Sequence, residues 1–235
     1  MKLSFRRLML ILGIFCSLSL VFAAPAAAQT SEAREEVDIA EIGDDVLDAD
    51  VDTLLEGLQE PMRNRDLPEG FSDAEYVAPE DVTAEMGLLG GDSLEGSLGS
   101  VAYTVTGDVE VLGGTNSIIS IQYVAFDADD LTEDTLPDFV EGAESGLTDV
   151  PEDSEATVDT IELAGEDAAL ITFSQNSASS GVVVQYIAIP VGNVFVFAAV
   201  TIADEDEVDP DDVFDATEAL ALASITHLGE IAADS

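Results

Sequence analysis

Val182-Val183-Val184-Gln185-Tyr186-Ile187-Ala188-Ile189-Pro190-Val191-Gly192-Asn193-Val194-Phe195-Val196-Phe197-Ala198-Ala199-Val200-Thr201-Ile202 decides how the rest of the chain must fold. Two β-branched and aromatic runs, Val182–Ile189 and Val194–Ile202, meet across a Pro190–Asn193 connection that holds a glycine and an asparagine, so the stretch predicts a hairpin. Both runs are apolar at nearly every position, with little of the alternation that marks a half-solvated strand. Strands of that kind sit centrally, with both faces covered. Working upstream, Val158, Ile161 and Leu163 lead into Gly165-Glu166-Asp167 and out through Ala169 to Phe173, a second hairpin. Before it the period changes. Leu136, Phe139, Val140, Ala143 and Leu147 recur at helical spacing, starting near Thr135-Leu136-Pro137 and closed off at Pro151. Earlier still, Val101–Val105 alternates, Gly107-Asp108 turns, Val109–Leu112 continues as strand, Gly113-Gly114 turns again, and Ile118–Phe126 has strand composition. Downstream, an acidic run from Asp204 to Asp211 precedes a last helix whose buried stripe is Val213, Phe214, Thr217, Leu220, Ala221, Ser224, Ile225 and Leu228. Asp211 and Asp212 fall at its N-terminus, where negative charge complements the helix dipole. The expectation is one α+β domain over about 67–230, a single antiparallel β-sheet covered by helices.

This order of elements resembles the PsbP-like family of secreted α/β/α sandwiches. The stretch that carries the resemblance is Ile161-Glu162-Leu163-Ala164-Gly165-Glu166-Asp167-Ala168-Ala169 with its following strand. After it come the 182–202 hairpin, the acidic loop, and the helix ending Ser224-Ile225-Thr226-His227. The resemblance spans roughly 98–228. It implies the sandwich fold and a non-catalytic accessory or binding role, and it carries over no functional residue.

The N-terminus has the three zones of an export signal. Lys2, Arg6 and Arg7 are followed by an apolar stretch from Leu8 to Phe22, then by small residues with Ala26 and Ala28 at the two positions that a signal peptidase reads. A membrane anchor would need about 20 apolar residues without such a cleavage site. Residues 1–28 are therefore expected to be removed, Cys16 with them, and the remainder to be extracytoplasmic without a membrane span. Arg6-Arg7 leaves the twin-arginine route open beside the general one. Residues 29–66 read as an acidic leader with too few large apolar side chains to offset its ordering entropy, hence as disordered. Within it, Leu54, Leu55 and Leu58 in the segment from Val51 to Met62 could form one short helical face, stopped by Pro61. Residues 231–235 read as a tail.

The charge balance excludes several functions. The chain has 50 acidic residues against 6 Lys and Arg, a formal charge of −44. Three of the six basic residues lie in the signal. Beyond position 28 only Arg34, Arg63 and Arg65 remain, with no lysine. Such a surface repels nucleic-acid phosphates and has almost no cations with which to release their counterions. One cysteine makes a disulfide scaffold impossible, and one histidine without a usable cysteine cannot build a zinc site. A charge this large is tolerated where salt screens it: the Debye length is about 8 Å at 0.15 M and about 3 Å at 1 M. The composition therefore points to adaptation to concentrated salt.

Three constellations remain as candidates. Gly91-Asp92-Ser93-Leu94 spells the tetrapeptide of the GDSL hydrolases, in which the serine is the nucleophile, and Asn116 and His227 follow in the order of that family's site. The departures are that Ser224 stands where the aspartate orienting the histidine belongs, that Ser117 replaces an aspartate, and that a β meander occupies the place of an alternating α/β fold. His227 also has a plain structural reading, complementing the carbonyls at a helix C-terminus. Calcium is the metal that carboxylates suit. Asp48, Asp50 and Asp52 alternate as an EF-hand loop begins, though Thr53 and Gln59 replace its glycine and bidentate glutamate. Asp127 and Asp129, and Asp204 and Asp206, are the other clusters, set against the reading of a solvated acidic face. Carboxylate pairs for glycosidase chemistry carry no signal among 50 acids. The functional expectation is a secreted, non-enzymatic domain that binds a protein or small ligand and needs no cofactor. A Ca2+-binding surface protein and a GDSL-type esterase are the alternatives.

Overall fold

The computed structural model describes residues 37–78, 81–82, 96–109, 111–112, 114–128, 130–132, 134–147, 154–177, 180–205 and 208–235. The signal segment 1–28 and Ser93, Asp129 and Asp206 lie outside them. Among the described residues seven strands form one antiparallel sheet: β1 (Phe71–Val77), β2 (Gly99–Gly107), β3 (Asn116–Ala125), β4 (Ser154–Leu163), β5 (Glu166–Ser177), β6 (Ser180–Val191) and β7 (Val194–Asp204). Their spatial order is β1-β2-β3-β7-β6-β5-β4, so the β6–β7 hairpin is internal, as its unbroken apolar composition predicts. Among the described residues four helices accompany the sheet: α1 (Ile39–Asp48), α2 (Val51–Gly57), α3 (Thr135–Gly146) and α4 (Pro210–Ala233). The fold class is α+β.

The pleat divides each strand between two faces. Val194, Val196, Ala198, Val200 and Ile202 of β7 join Val183, Ile187, Ile189 and Val191 of β6 on one face, in the same cluster as Val213, Leu220, Ile225 and Leu228 of α4. α4 lies across β6 and β7, α1 rests on α4 and β6, and α2 bridges α4 and β2. On the other face Phe195, Ala188, Ile171 and Val124 meet Leu136, Phe139 and Ala143 of α3, which lies over β4 and β5. Fully burying each Val, Leu or Ile contributes about 1.5–3 kcal/mol. The first cluster, several times larger, therefore holds most of the stability.

Turn chemistry sets the register. In the β6–β7 hairpin Val191 pairs with Val194, leaving a two-residue turn in which Gly192 has φ +58°. A Cβ at Gly192 would also lie 2.6 Å from the Gly43 carbonyl oxygen of α1, so glycine is required twice over. In the β4–β5 hairpin Leu163 pairs with Glu166, and Ala164 (φ +48°) and Gly165 (φ +90°) form the turn, one residue earlier than the sequence suggests.

Three sequence expectations are corrected. Residues 37–66 are not a disordered leader. Asp38 and Asp50 cap α1 and α2, their Oδ1 atoms accepting from Glu41 N at 3.1 Å and Thr53 N at 3.0 Å. Ile39, Val46, Leu54, Leu58 and Met62 then enter the main core. The helical face of Leu54, Leu55 and Leu58 is as expected; α1, with Ile39, Ile42, Gly43 and Val46 at helical spacing, went unread among its aspartates. Secondly, Val109–Leu112 does not continue a strand. Leu112 N bonds to the Asp108 carbonyl at 3.0 Å, and the segment turns the chain from β2 into β3. Thirdly, residues 231–233 continue α4, with Ala232 buried, so the tail is shorter than expected.

Candidate functional site

Every described carboxylate lies at the surface. The buried polar residues are Ser120, Gln122, Gln185, Asn193, Thr217 and Ser224, with no Asp or Glu among them. Some acids take structural roles, Asp73 of β1 accepting from Asn64 at 2.9 Å and others at helix ends. Asp209 caps α4 by accepting from Asp211 N at 3.0 Å, and hydrogen bonds from the Thr53 backbone and hydroxyl hold the exposed Asp50 carboxyl below its ordinary pKa.

These roles decide where the calcium candidates stand. Asp48 is the last residue of α1, Asp50 is the N-cap of α2 and Asp52 lies in its first turn, so two residues separate the helices where an EF-hand needs a 12-residue loop. Asp127 follows β3, and Asp204 ends β7. Among the described residues no group of three or more His, Cys, Asp or Glu side chains is placed to hold a metal ion.

The two described hydrolase candidates, Asn116 and His227, do not converge. Asn116 begins β3 and pairs with Ala203, whereas His227 of α4 stacks obliquely on Tyr123, with ring centroids 6.5 Å apart. Asn116 and Tyr123 are separated along β3 by about 23 Å of strand. His227 also does not complement the carbonyls of a helix end, because α4 runs on to Ala233. It sits between the sheet and the segment after α2, where the ring bonds to the Glu60 backbone. Burial lowers its pKa from 6.5, a shift opposed by that bond and by the carboxylates of Glu230, Asp66 and Glu60. Its Nε2 is buried without a partner. Beneath it Tyr123 donates to the Ser224 carbonyl at 3.0 Å and meets Tyr103 edge to face at 6.0 Å, while the Tyr103 hydroxyl is buried without a partner. This cluster belongs to the core.

A concave feature lies on the opposite face. A groove of about 720 Å³ runs between α3 and the β4–β5 hairpin. Leu136, Pro137 and Val140 of α3 and Pro190 of β6 supply its apolar surface, with hydroxyls from Thr132 and Thr160. Glu141 and Glu144 stand on the helix side, Glu166 and Asp167 on the hairpin side. Helical spacing puts Pro137, Glu141 and Glu144 on one flank of α3, and the tight turn at Ala164-Gly165 brings Glu166 and Asp167 opposite. Four carboxylates around an apolar floor attract a cation that carries an apolar portion. The sequence did not reveal the groove, because its walls come from segments distant in the chain.

No protein-family model matches the chain, and the search of curated proteins gives no match. Among solved structures, the extracellular domain of PknH from Mycobacterium tuberculosis is similar with a TM-score of 0.32 and 11% identity, covering 83% of this chain and 99% of that one. A likeness at that level carries no functional argument. Among the described residues no helix is long and apolar enough to cross a membrane.

Proposed function

We propose that the chain is an exported, non-enzymatic α+β binding domain adapted to concentrated salt. The observation that carries this reading is the partition of charge: an apolar core whose two main clusters cover the two faces of the sheet, and a carboxylate surface from which no described Asp or Glu is buried. An acidic cluster built for chemistry or for a metal would draw some carboxylates inward, to be paired or coordinated. Here none of the described ones is buried, and the sequence beyond position 28 has only three arginines to set against them. Their sum is self-repulsion, which dilute buffer leaves in place and salt removes. Export is the reading of the charged, apolar and small-residue zones of the first 28 residues. The PsbP-like resemblance supports an accessory or binding role, and the α3 groove is where a ligand would be held.

The test is unfolding of the chain from residue 29, which keeps every described residue, from dilute buffer to about 1 M NaCl. The midpoint is expected to rise by several degrees, steeply at first and then levelling as screening completes. Equal midpoints in dilute and molar salt would contradict the reading.

A further inference from the structure

We propose that the outer edge of β4 and the groove beside it together hold an extended basic peptide, added to the sheet as an eighth strand. This deepens the binding reading above and rests on it. The two ends of the sheet differ in how they meet solvent. At the β1 end the ladder shifts between Ser72 and Ala74, Asp73 stands at φ +48°, and Asn64 bonds to Asp73 N at 3.1 Å and to its carboxylate at 2.9 Å. A bulge and a covering side chain of this kind close an edge to further pairing. At the other end β4 is a regular strand of ten residues, in unbroken register with β5 from Ser154↔Gln175 to Leu163↔Glu166. It has no proline, lysine or bulge, and none of the described strands lies outside it.

Antiparallel geometry fixes which backbone groups face outward. The pair flanking a two-residue turn is hydrogen-bonded, so Leu163 and every second residue before it bond to β5. The N–H and C=O groups of Glu162, Thr160, Val158 and Ala156 therefore point away from the sheet. Thr160 belongs both to this outward set and to the lining of the groove, which makes edge and groove one continuous surface. A strand docked about 4.8 Å outside β4 would run along α3, with alternate side chains on the side of Glu141 and Glu144.

Charge selects the occupant. β4 itself carries Glu155, Asp159 and Glu162, and the groove adds Glu141, Glu144, Glu166 and Asp167. A second copy of this chain would bring the same negative edge, so the acids that invite a basic strand also keep two copies apart.

The probe is a peptide the length of β4 that alternates Lys and Val, with a Glu-Val peptide as control. Both are added to the chain from residue 29 in low and in molar NaCl, and amide exchange is read residue by residue. The Lys-Val peptide is expected to protect the amides of Ala156, Val158, Thr160 and Glu162, and the control is not. Thr160→Pro removes an outward N–H and leaves the β4–β5 ladder intact, so it is expected to abolish that protection. Should Thr160→Pro fail to fold, the double variant Glu141→Gln, Glu144→Gln serves instead, weakening binding by about threefold to tenfold, as two exposed ion pairs should. The proposal is overturned by protection spread over the acidic surface without β4, by equal binding of the control peptide, or by a folded Thr160→Pro that binds undiminished. Salt-induced dimerisation that protects the same amides would assign the edge to a second copy instead. Protection of the groove by some other ligand, with β4 unaffected, would sink this proposal and leave the binding-domain reading standing.

Discussion

The two faces of the sheet are built to different ends. On one, α4, α1 and α2 form a continuous layer: Leu220, Ile225 and Leu228 of α4 are fully buried over β6 and β7, and Leu54 and Leu58 are fully buried where α2 bridges α4 and β2. On the other, α3 covers β4 and β5 through Leu136, Phe139 and Ala143, and leaves an acidic groove open at its side. The first face packs side chain onto backbone at close range: a Cβ at Gly57 would lie 2.6 Å from Ile231 Cγ2. Stability is thus concentrated in one layer, and access in the other, a division that suits the proposed binding role.

The sharpest way to break this comparison is Leu54→Ala. The side chain is fully buried in the main core, so its truncation is expected to cost about 2–5 kcal/mol in chemical denaturation. A cost below about 1 kcal/mol would mean that α2 is an ornament and not part of the stabilising layer. Amide exchange sharpens the same point without mutation: α3 is expected to exchange through local opening well before α4, β6 and β7. Exchange of all four at one rate would erase the distinction. Within the main core, Tyr123→Phe removes the bond to the Ser224 carbonyl and is expected to cost about 1 kcal/mol, whereas Tyr103→Phe removes a buried hydroxyl without a partner and is expected to be neutral or stabilising. At the mouth of the groove, Ala164→Asn is expected to raise stability by about 0.5–1 kcal/mol, because asparagine tolerates the positive φ that alanine resists. The smallest effect is in pH. The His227 pKa is lowered on folding, chiefly by burial, so the unfolded chain binds its proton more readily. Its contribution to stability is complete above the unfolded value of 6.5 and is lost as pH falls through 6.5 towards the folded value. His227→Gln is expected to flatten that part of the profile, and an unchanged slope would place the titration elsewhere.

Much of the fold was legible from period alone. The 182–202 hairpin announced a central position because both of its faces are apolar, and α3 announced itself through Leu136, Phe139, Val140 and Ala143. What escaped reading was physical in origin. In α1 the apolar positions Ile39, Ile42 and Val46 are few, and the surrounding aspartates look like a disordered tract, yet Asp38 is a cap and the rest form the solvated side of a docked helix. Asp48, Asp50 and Asp52 misled in the same way, since alternation at a helix–helix junction imitates a metal loop. His227 was placed at a helix end because the closing turns of α4, Gly229 to Ala233, lack the large apolar stripe of its centre. The groove was illegible, since Glu141, Glu166 and Pro190 become neighbours only through the order β6-β5-β4.

The central claim is that the carboxylates form a screened surface and not a coordination site. The most direct test is thermal unfolding of the chain from residue 29 in NaCl and in CaCl2 at matched ionic strength. Both salts are expected to raise the midpoint gradually and to the same extent. A rise produced by CaCl2 alone, saturating at low concentration, would contradict it.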